Sequence, residues 1–279
     1  MTSLVAVTIP IFKEVPDSRE QEALRQCLDV LHKYPVIFFA PQSLKANFYT
    51  GLTGGRNQST IERFEDKYFT GPETYNKLLL NKKFYKRFKH FKYILIYQLD
   101  AYVFKDELQH WCKIGYDYIG APWFNDFHAA NSGSQFFGVG NGGFSLRNVN
   151  SHLKVLSSFS YIKSYSEIKW EFLSGPKTYK NLLRLLRNLT ITNNTFNRFN
   201  DYDRNEDFFW GVIVKKKFKW FNVPGMVTAA KFSFEVNAAK LFDLIGQDLP
   251  FGCHALLKYD PDFFNRLKNI SNNKSGHTL

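Results

Sequence analysis

Four short stretches of this 279-residue sequence combine residue types that can do chemistry together. Asp100 follows the apolar run Tyr93 to Tyr97, with Gln98 two positions before it and Asp106 and Glu107 six and seven positions after it. A carboxylate where a strand meets a loop can hold Mg2+ or Mn2+ against the phosphates of a nucleotide; it can equally cap a turn. Asn141-Gly142-Gly143-Phe144 reads either as a tight turn before a strand or as a wall for a sugar, with a ring to stack on it and backbone N–H groups to face its hydroxyls. No Gly-Lys-Ser/Thr follows, which excludes a P-loop. Asn205-Glu206-Asp207 opens a helical stretch, where Asn caps and acids favour the positive end of the helix dipole. A carboxylate there can also be a general base within reach of a substrate hydroxyl. His254 follows Gly252 and Cys253 in a Pro- and Gly-flanked stretch, and a ligand, a phosphate contact and a plain loop residue all fit it.

The elements that must position these residues read as an α/β chain. Leu4 to Ile9 is a short strand, Asp17 to Lys33 a helix, and Val36 to Phe39 a strand apolar on both faces. Strand, helix and strand with a short return open a parallel sheet. Gly51 to Gly55 reads as a loop and Thr60 to Phe64 as a third strand. After Gly71-Pro72 the apolar spacing from Tyr75 to Phe91 predicts one helix, and Tyr93 to Tyr97 is the strongest strand. Open α/β sheets put ligands at the carboxyl edge of such strands. Ser151 to Leu189 is read as helices, Thr190 to Arg204 as a loop, Phe208 to Lys216 as a helix and Lys219 to Val223 as a strand. Leu249 to His254 is read as a loop and Ser271 to Leu279 as a frayed tail.

Composition narrows the class. The chain is 44% hydrophobic, with 29 Phe, 15 Tyr and 5 Trp, enough to bury a large core and exclude a disordered segment. No linker composition divides it. Its apolar runs fall far short of the roughly 20 residues that span a bilayer. The opening MTSLVAVTIP lacks a basic start and an apolar signal core, so the expected location is cytoplasmic. Cys27, Cys112 and Cys253 are too scattered for a disulfide framework or metal knuckle and are expected as thiols, and the Asn188 and Asn193 sequons are expected to carry no glycan. The net charge of +12 favours anionic partners without choosing among nucleic acid, acidic lipid and phosphorylated small molecules.

Taken in order, the four stretches resemble the GT-A glycosyltransferases. YQLDAYVF, GYDYIGAPW, GNGGFSLR, NEDFFW and PFGCHA are more closely similar to a bacterial domain-of-unknown-function family of glycosyltransferase-like proteins. The similarity runs from about Leu4 to Phe264 and weakens between Asn148 and Arg204. It implies a mixed, mostly parallel, Rossmann-like central sheet with helices on both faces. It also implies one domain over residues 1–279: a nucleotide-sugar half at 1–105, an acceptor and catalytic half at 106–264, and a flexible tail at 265–279.

The activity the resemblance implies is transfer of a hexose-like sugar from a nucleotide-diphosphate sugar to an acceptor hydroxyl, with inversion. By the same resemblance Thr8 and Pro10 meet the nucleotide, with Gln98, Asp100, Asn141, Gly142 and Gly143 also on the donor. Asp100 and His254 hold Mn2+ or Mg2+, and Asp207 acts as base with Glu206 as the other candidate. Gln98 stands where the family's metal motif has its first Asp, which weakens the implied metal site. The implied acceptor is a glycan or lipid-linked glycan of a bacterial surface; the basic faces Lys82 to Lys92 and Lys215 to Lys219 would then suit peripheral contact with the inner face of an anionic membrane, a solvated surface being their other reading, and nucleic acid is not expected. The alternatives are a glycoside hydrolase with paired carboxylates, a basic nucleic-acid-binding protein carried by Lys82 to Lys92 and Lys215 to Lys219, and an inactive sugar-nucleotide-binding protein.

Overall fold

The computed structural model describes residues 3–52, 59–131, 133–159, 161, 163–190, 193–194 and 205–275. The chain opens with β1 (Ser3–Pro10), α1 (Ser18–Val30), β2 (Val36–Pro41), α2 (Asn47–Leu52) and β3 (Thr60–Phe64). Asp17 caps α1 by accepting from the Arg19 and Glu20 amides, and the Glu20 carboxylate returns to the Asp17 amide, a reciprocal capping box. α3 (Pro72–Leu79) and α4 (Lys82–Arg87) precede β4 (Phe91–Tyr97). The single helix predicted from Tyr75 to Phe91 is thus two, because Asn81 turns the chain and caps α4 by accepting from the Lys83 amide at 2.8 Å. Then come β5 (Ala101–Val103), α5 (Leu108–Ile114), β6 (Tyr118–Ile119), β7 (Pro122–Phe124), β8 (Phe136–Val139), β9 (Phe144–Asn148) and α6 (Val149–Ser157). α7 (Tyr165–Ser174) and α8 (Tyr179–Thr190) form a helical hairpin. Glu206–Phe208, a π-helical turn Phe209–Val214 and Lys215–Lys217 run on as α9. β10 (Ser233–Phe234) and β11 (Gly252–His254) are short late strands.

The central sheet has six strands in the order β3-β2-β1-β4-β9-β6. β3, β2, β1 and β4 run parallel, β9 is antiparallel to both β4 and β6, and only β9 is reversed. This is the mixed, mostly parallel sheet expected. Side chains alternate between its faces: Val5, Val7, Ile9, Phe38, Leu95 and Tyr97 join one core with α1 and α5, while Ala6, Ile37, Phe39, Ile94 and Ile96 join the other with α3, α4 and α6. Burial on both faces explains the near-continuous apolar runs of β1, β2 and β4. A second sheet, in the order β10-β11-β5, lies against a third core that includes Phe104, Phe234, Leu241 and Leu267.

Several expectations are corrected. Lys219 to Val223 forms no strand: the Asn222 amide and carbonyl both bond to Asp117, at 2.7 Å to its carboxylate and 2.8 Å from its amide, so no ladder can form there. Leu249 to His254 is not all loop, since its last three residues make β11. Gly51 lies in α2, while residues 53–55 of the predicted loop are outside the described residues, as is most of Thr190 to Arg204. The expected flexible tail at 265–279 is instead largely helical, over Pro261–Ser275. Phe264 and Leu267 are buried there, Ser271 Oγ donates to the Phe104 carbonyl at 3.2 Å, and Lys268 pairs with Glu22; residues 276–279 are outside the description. Among the described residues no helix is long and apolar enough to cross a membrane, and all three cysteines are buried thiols.

Candidate functional site

Backbone pairing brings six of the sequence-predicted residues together at the carboxyl end of β4. β4 ends at Tyr97, opposite Phe144 of β9, so the Asn141-Gly142-Gly143 turn that leads into β9 lies beside the chain that leaves β4. The Gln98 amide donates to the Gly143 carbonyl at 2.8 Å. β5 starts at Ala101 and pairs antiparallel with β11, which sets His254 opposite Ala101 and next to Asp100. β11 also pairs in parallel with β10, so Glu235, just past β10, arrives beside His254 from the other side.

The His254 imidazole is the hub. Its Nε2 is 3.2 Å from both Asp100 Oδ1 and Gln98 Oε1, and its Nδ1 is 3.2 Å from Glu235 Oε1. Burial alone would lower its pKa, but the Asp100 carboxylate, and then Glu235, overcome that and hold it at about 10. The Asp100 side chain is 57% exposed, so the cluster opens to solvent through it. Burial works to raise the Asp100 pKa, and the facing imidazole outweighs it and brings the carboxyl below its usual range.

The donor set fits a divalent cation in part. Among the described residues no group of three His, Cys, Asp or Glu side chains is placed to hold a metal. Asp100, His254 and the Gln98 amide oxygen nevertheless converge within 3.2 Å of one ring nitrogen, while a carboxylate fixes the other, the arrangement that orients a metal-ligating histidine. Such a half-complete set suits a cation whose remaining ligands come from phosphate oxygens.

The glycine turn touches this cluster on one side and the acidic pair on the other. A Cβ at Gly143 would fall on the His254 ring, and one at Gly142 on the Glu206 carboxylate. Asn141 holds the turn with a left-handed φ of 73°, accepting from the Phe144 amide at 3.2 Å and donating to Ser233 Oγ at 3.3 Å. The turn reading of this loop holds, and the close approaches of its glycines are to the protein's own Glu206 and His254 side chains.

Glu206 and Asp207 separate cleanly. Glu206 is bound by both terminal nitrogens of Arg147, at 2.7 and 2.8 Å. Arg147 is fully buried and also donates to Ser145 Oγ, the Tyr85 hydroxyl and the Gly142 carbonyl. Burial pushes the Glu206 carboxyl up, but a guanidinium does not release its proton and the fork geometry is bidentate, so the pair is ionised. Among the described residues Asp207 has no cation: its Oδ2 accepts from the Gly142 amide at 2.8 Å and its Oδ1 from the Phe208 amide at 2.8 Å. Burial, then the charges of Glu206 and Glu235, raise it to about 7. Asn205 does not cap α9 with its own side chain; Asn76 of α3 accepts from the Glu206 amide at 3.3 Å instead.

Thr8 and Pro10 are not brought to this surface. Thr8 is fully buried and its hydroxyl donates to the Leu95 carbonyl at 3.0 Å, while Pro10 is buried in register with Phe39. The expected contact of their side chains with a donor is corrected by that burial: the exposed residues past β1 are Phe12, Lys13, Glu14 and Val15. Phe12 meets Tyr75 edge-on at 5.4 Å.

Sequence reasoning missed Arg147, Glu235 and Trp123. Arg147 ends the GNGGFSLR stretch and could have been found as the one cation inside it, whereas Glu235 carries no local signal. Trp123 Nε1 donates to Glu235 at 3.1 Å, and its ring stacks with Phe208 at 6.4 Å, the residue after Asp207.

Residues 58–254 match the model of a family described as a protein of unknown function, DUF5672. The chain belongs to that family. The matched span runs to His254 and includes Gln98, Asp100, the glycine turn, Arg147, Glu206, Asp207 and Glu235, so the whole cluster lies inside the DUF5672 region. No curated protein matches the sequence significantly. Solved structures with a similar course of chain include galactosyltransferase LgtC in complex with donor and acceptor sugar analogues, at 10% identity over 89% of this chain and 86% of that one, TM-score 0.47. Mouse xyloside xylosyltransferase 1 is similar at 10% identity over 91% and 97%, TM-score 0.47. A glycosyltransferase involved in glycosylation of the major capsid of PBCV-1 is similar at 10% over 90% and 92%, TM-score 0.41.

Proposed function

We propose that this DUF5672 protein transfers a sugar, a hexose by the resemblance of its motifs, from a nucleotide-diphosphate sugar to an acceptor hydroxyl. The observation that carries the reading is the glycine turn: Gly143 packs against His254 of the Asp100 cluster, and the Gly142 amide binds Asp207. One turn thus spans a site for phosphate-bound charge and a buried carboxylate that can move a proton. Asp100, His254 and Gln98 would hold Mn2+ or Mg2+, which when bound supplies positive charge for the departing diphosphate. Asp207 takes the proton of the acceptor hydroxyl; that oxygen forms a bond to the anomeric carbon as the bond to the diphosphate breaks, and inversion follows. A carboxyl near pKa 7 is matched to that task. Glu206 is committed to Arg147 and holds the turn rather than an acceptor. A glycan or lipid-linked glycan of a bacterial surface is the acceptor class we favour. Nucleoside diphosphate release from a panel of UDP, GDP and dTDP sugars, with and without Mn2+, tests the reading: turnover of one donor, lost in Asp207→Asn, supports it, and no release from any donor by folded protein contradicts it.

A further inference from the structure

The α7–α8 hairpin, next in sequence after the central sheet's α6, carries a helix that is docked inside out. In α8, Leu182, Leu183, Leu186 and Leu189 are 38–50% exposed and Tyr179 is 75% exposed, while no residue of the helix is buried. With 3.6 residues per turn these side chains share an arc of roughly 120°, and Asn181, Arg184 and Asn188 lie opposite. It is the side carrying Asn181 and Asn188, with the single Leu185 and the edge of Arg184, that lines a groove of about 570 Å³ shared with α7 and α9, so four of the five leucines face away from the protein. An ordinary surface helix does the reverse. On α7, Tyr165, Trp170 and Leu173 are 61–72% exposed as well.

The charges specify what the leucines meet. No acidic residue occurs between Glu171 and Asp201, whereas Lys177, Lys180, Arg184 and Arg187 fall in and just before α8. Lys180 and Arg187 lie side by side along one edge of the leucine arc, where long basic side chains can run alongside an apolar layer and keep their charges at its polar boundary. The two acids of α7 are already matched, Glu171 by Lys163 at 2.8 Å and Glu167 by Lys216 at 3.4 Å. Leucines edged by basic residues and exposed aromatics, on two helices whose own acids are matched, suit the boundary between acyl chains and anionic headgroups.

We infer that the outward face of α8, with the exposed aromatics of α7, docks the protein on an anionic lipid surface. The inference does not depend on the reading of the Asp207 site. The test is co-sedimentation of the full chain with vesicles of pure phosphatidylcholine and of phosphatidylcholine with a quarter phosphatidylglycerol. Binding at least about tenfold stronger to the anionic vesicles is expected, with a blue shift of tryptophan emission from Trp170. Leu182→Ser with Leu186→Ser should weaken it by about tenfold or more at unchanged melting temperature, and Lys180→Glu, which leaves the leucines in place, by about fivefold or more. Equal or absent sedimentation with the two vesicle types overturns the inference. So does anionic-vesicle binding that neither variant weakens, or a self-associated species in ultracentrifugation that the leucine variant dissociates, since a second copy would then own the face.

Discussion

The Asp207 carboxylate accepts a hydrogen bond from the Gly142 amide at 2.8 Å, across 65 positions of sequence. That bond joins the start of α9 to the turn before β9 and fixes the only buried carboxylate of the cluster that has no cation of its own among the described residues. Asp207→Asn keeps the shape and removes the base. Transfer should fall by about 10²–10⁴-fold while nucleotide affinity changes little, because Asp207 does not touch the Asp100 cluster. Equal loss of nucleotide affinity and turnover, from titration and steady-state kinetics, would contradict the assignment.

The same residue sets a pH dependence of stability. Its pKa rises from an ordinary 3.8 to about 7 on folding. Below about pH 4 the carboxyl is neutral in both states and has no effect; above about 7 the folded protein must bury a charge that the unfolded chain keeps in water. Stability therefore falls as pH rises from about 4 to 7 and then levels, by at most about 4 kcal/mol from this group. Asp207→Asn should flatten that part of the melting profile, while kcat/KM for the proposed transfer rises with pH through about 7 in the native protein.

Arg147 and Glu206 should behave as a unit. Removing one partner strands a buried charge, so Arg147→Met or Glu206→Gln alone should cost about 3–5 kcal/mol in denaturant unfolding. Arg147→Met combined with Glu206→Leu should recover most of that. If the Glu206 variants instead lost activity at full stability, the carboxylate would be a participant and not a support.

Much of this was legible in the sequence. β1, β2 and β4 announce themselves because strands buried on both faces leave unbroken apolar runs, and α1 does so through the Asp17 to Glu20 box. Asp100, the glycine turn, Asp207 and His254 stood out by residue type and position. What escaped depends on pairing over long separations. β10 and β11 are two and three residues long, too short to show a period, yet they alone bring Glu235 to His254. Glu206 and Asp207 look equivalent in sequence, and only the position of Arg147 on β9 separates them. Thr8 sits on the strand that the resemblance points to, but its hydroxyl is spent on the neighbouring strand. The helix Pro261–Ser275 was hidden because its Asn- and Ser-rich end resembles a tail, although Phe264 and Leu267 keep helical spacing toward the core.

Glu235 links His254 to Trp123, at 3.2 and 3.1 Å. Glu235→Gln leaves the size unchanged but removes the charge behind the imidazole. Mn2+-dependent nucleotide binding should weaken about 10–100-fold, with metal-free binding little changed. Calorimetry with and without chelator separates the two; an equal effect in both would place Glu235 outside any metal site.

The central claim, a nucleotide-sugar site built on Asp100, is tested most directly by thermal stabilisation with UDP, GDP, CDP, dTDP and CMP, each with and without Mn2+, in the native protein and Asp100→Ala. A nucleotide at about one hundred times its dissociation constant should add about 2.7 kcal/mol. The account predicts that one nucleoside diphosphate raises the melting temperature, that Mn2+ enlarges the shift, and that Asp100→Ala removes it. A folded protein that no nucleotide stabilises, or a shift untouched by Asp100→Ala, would contradict it.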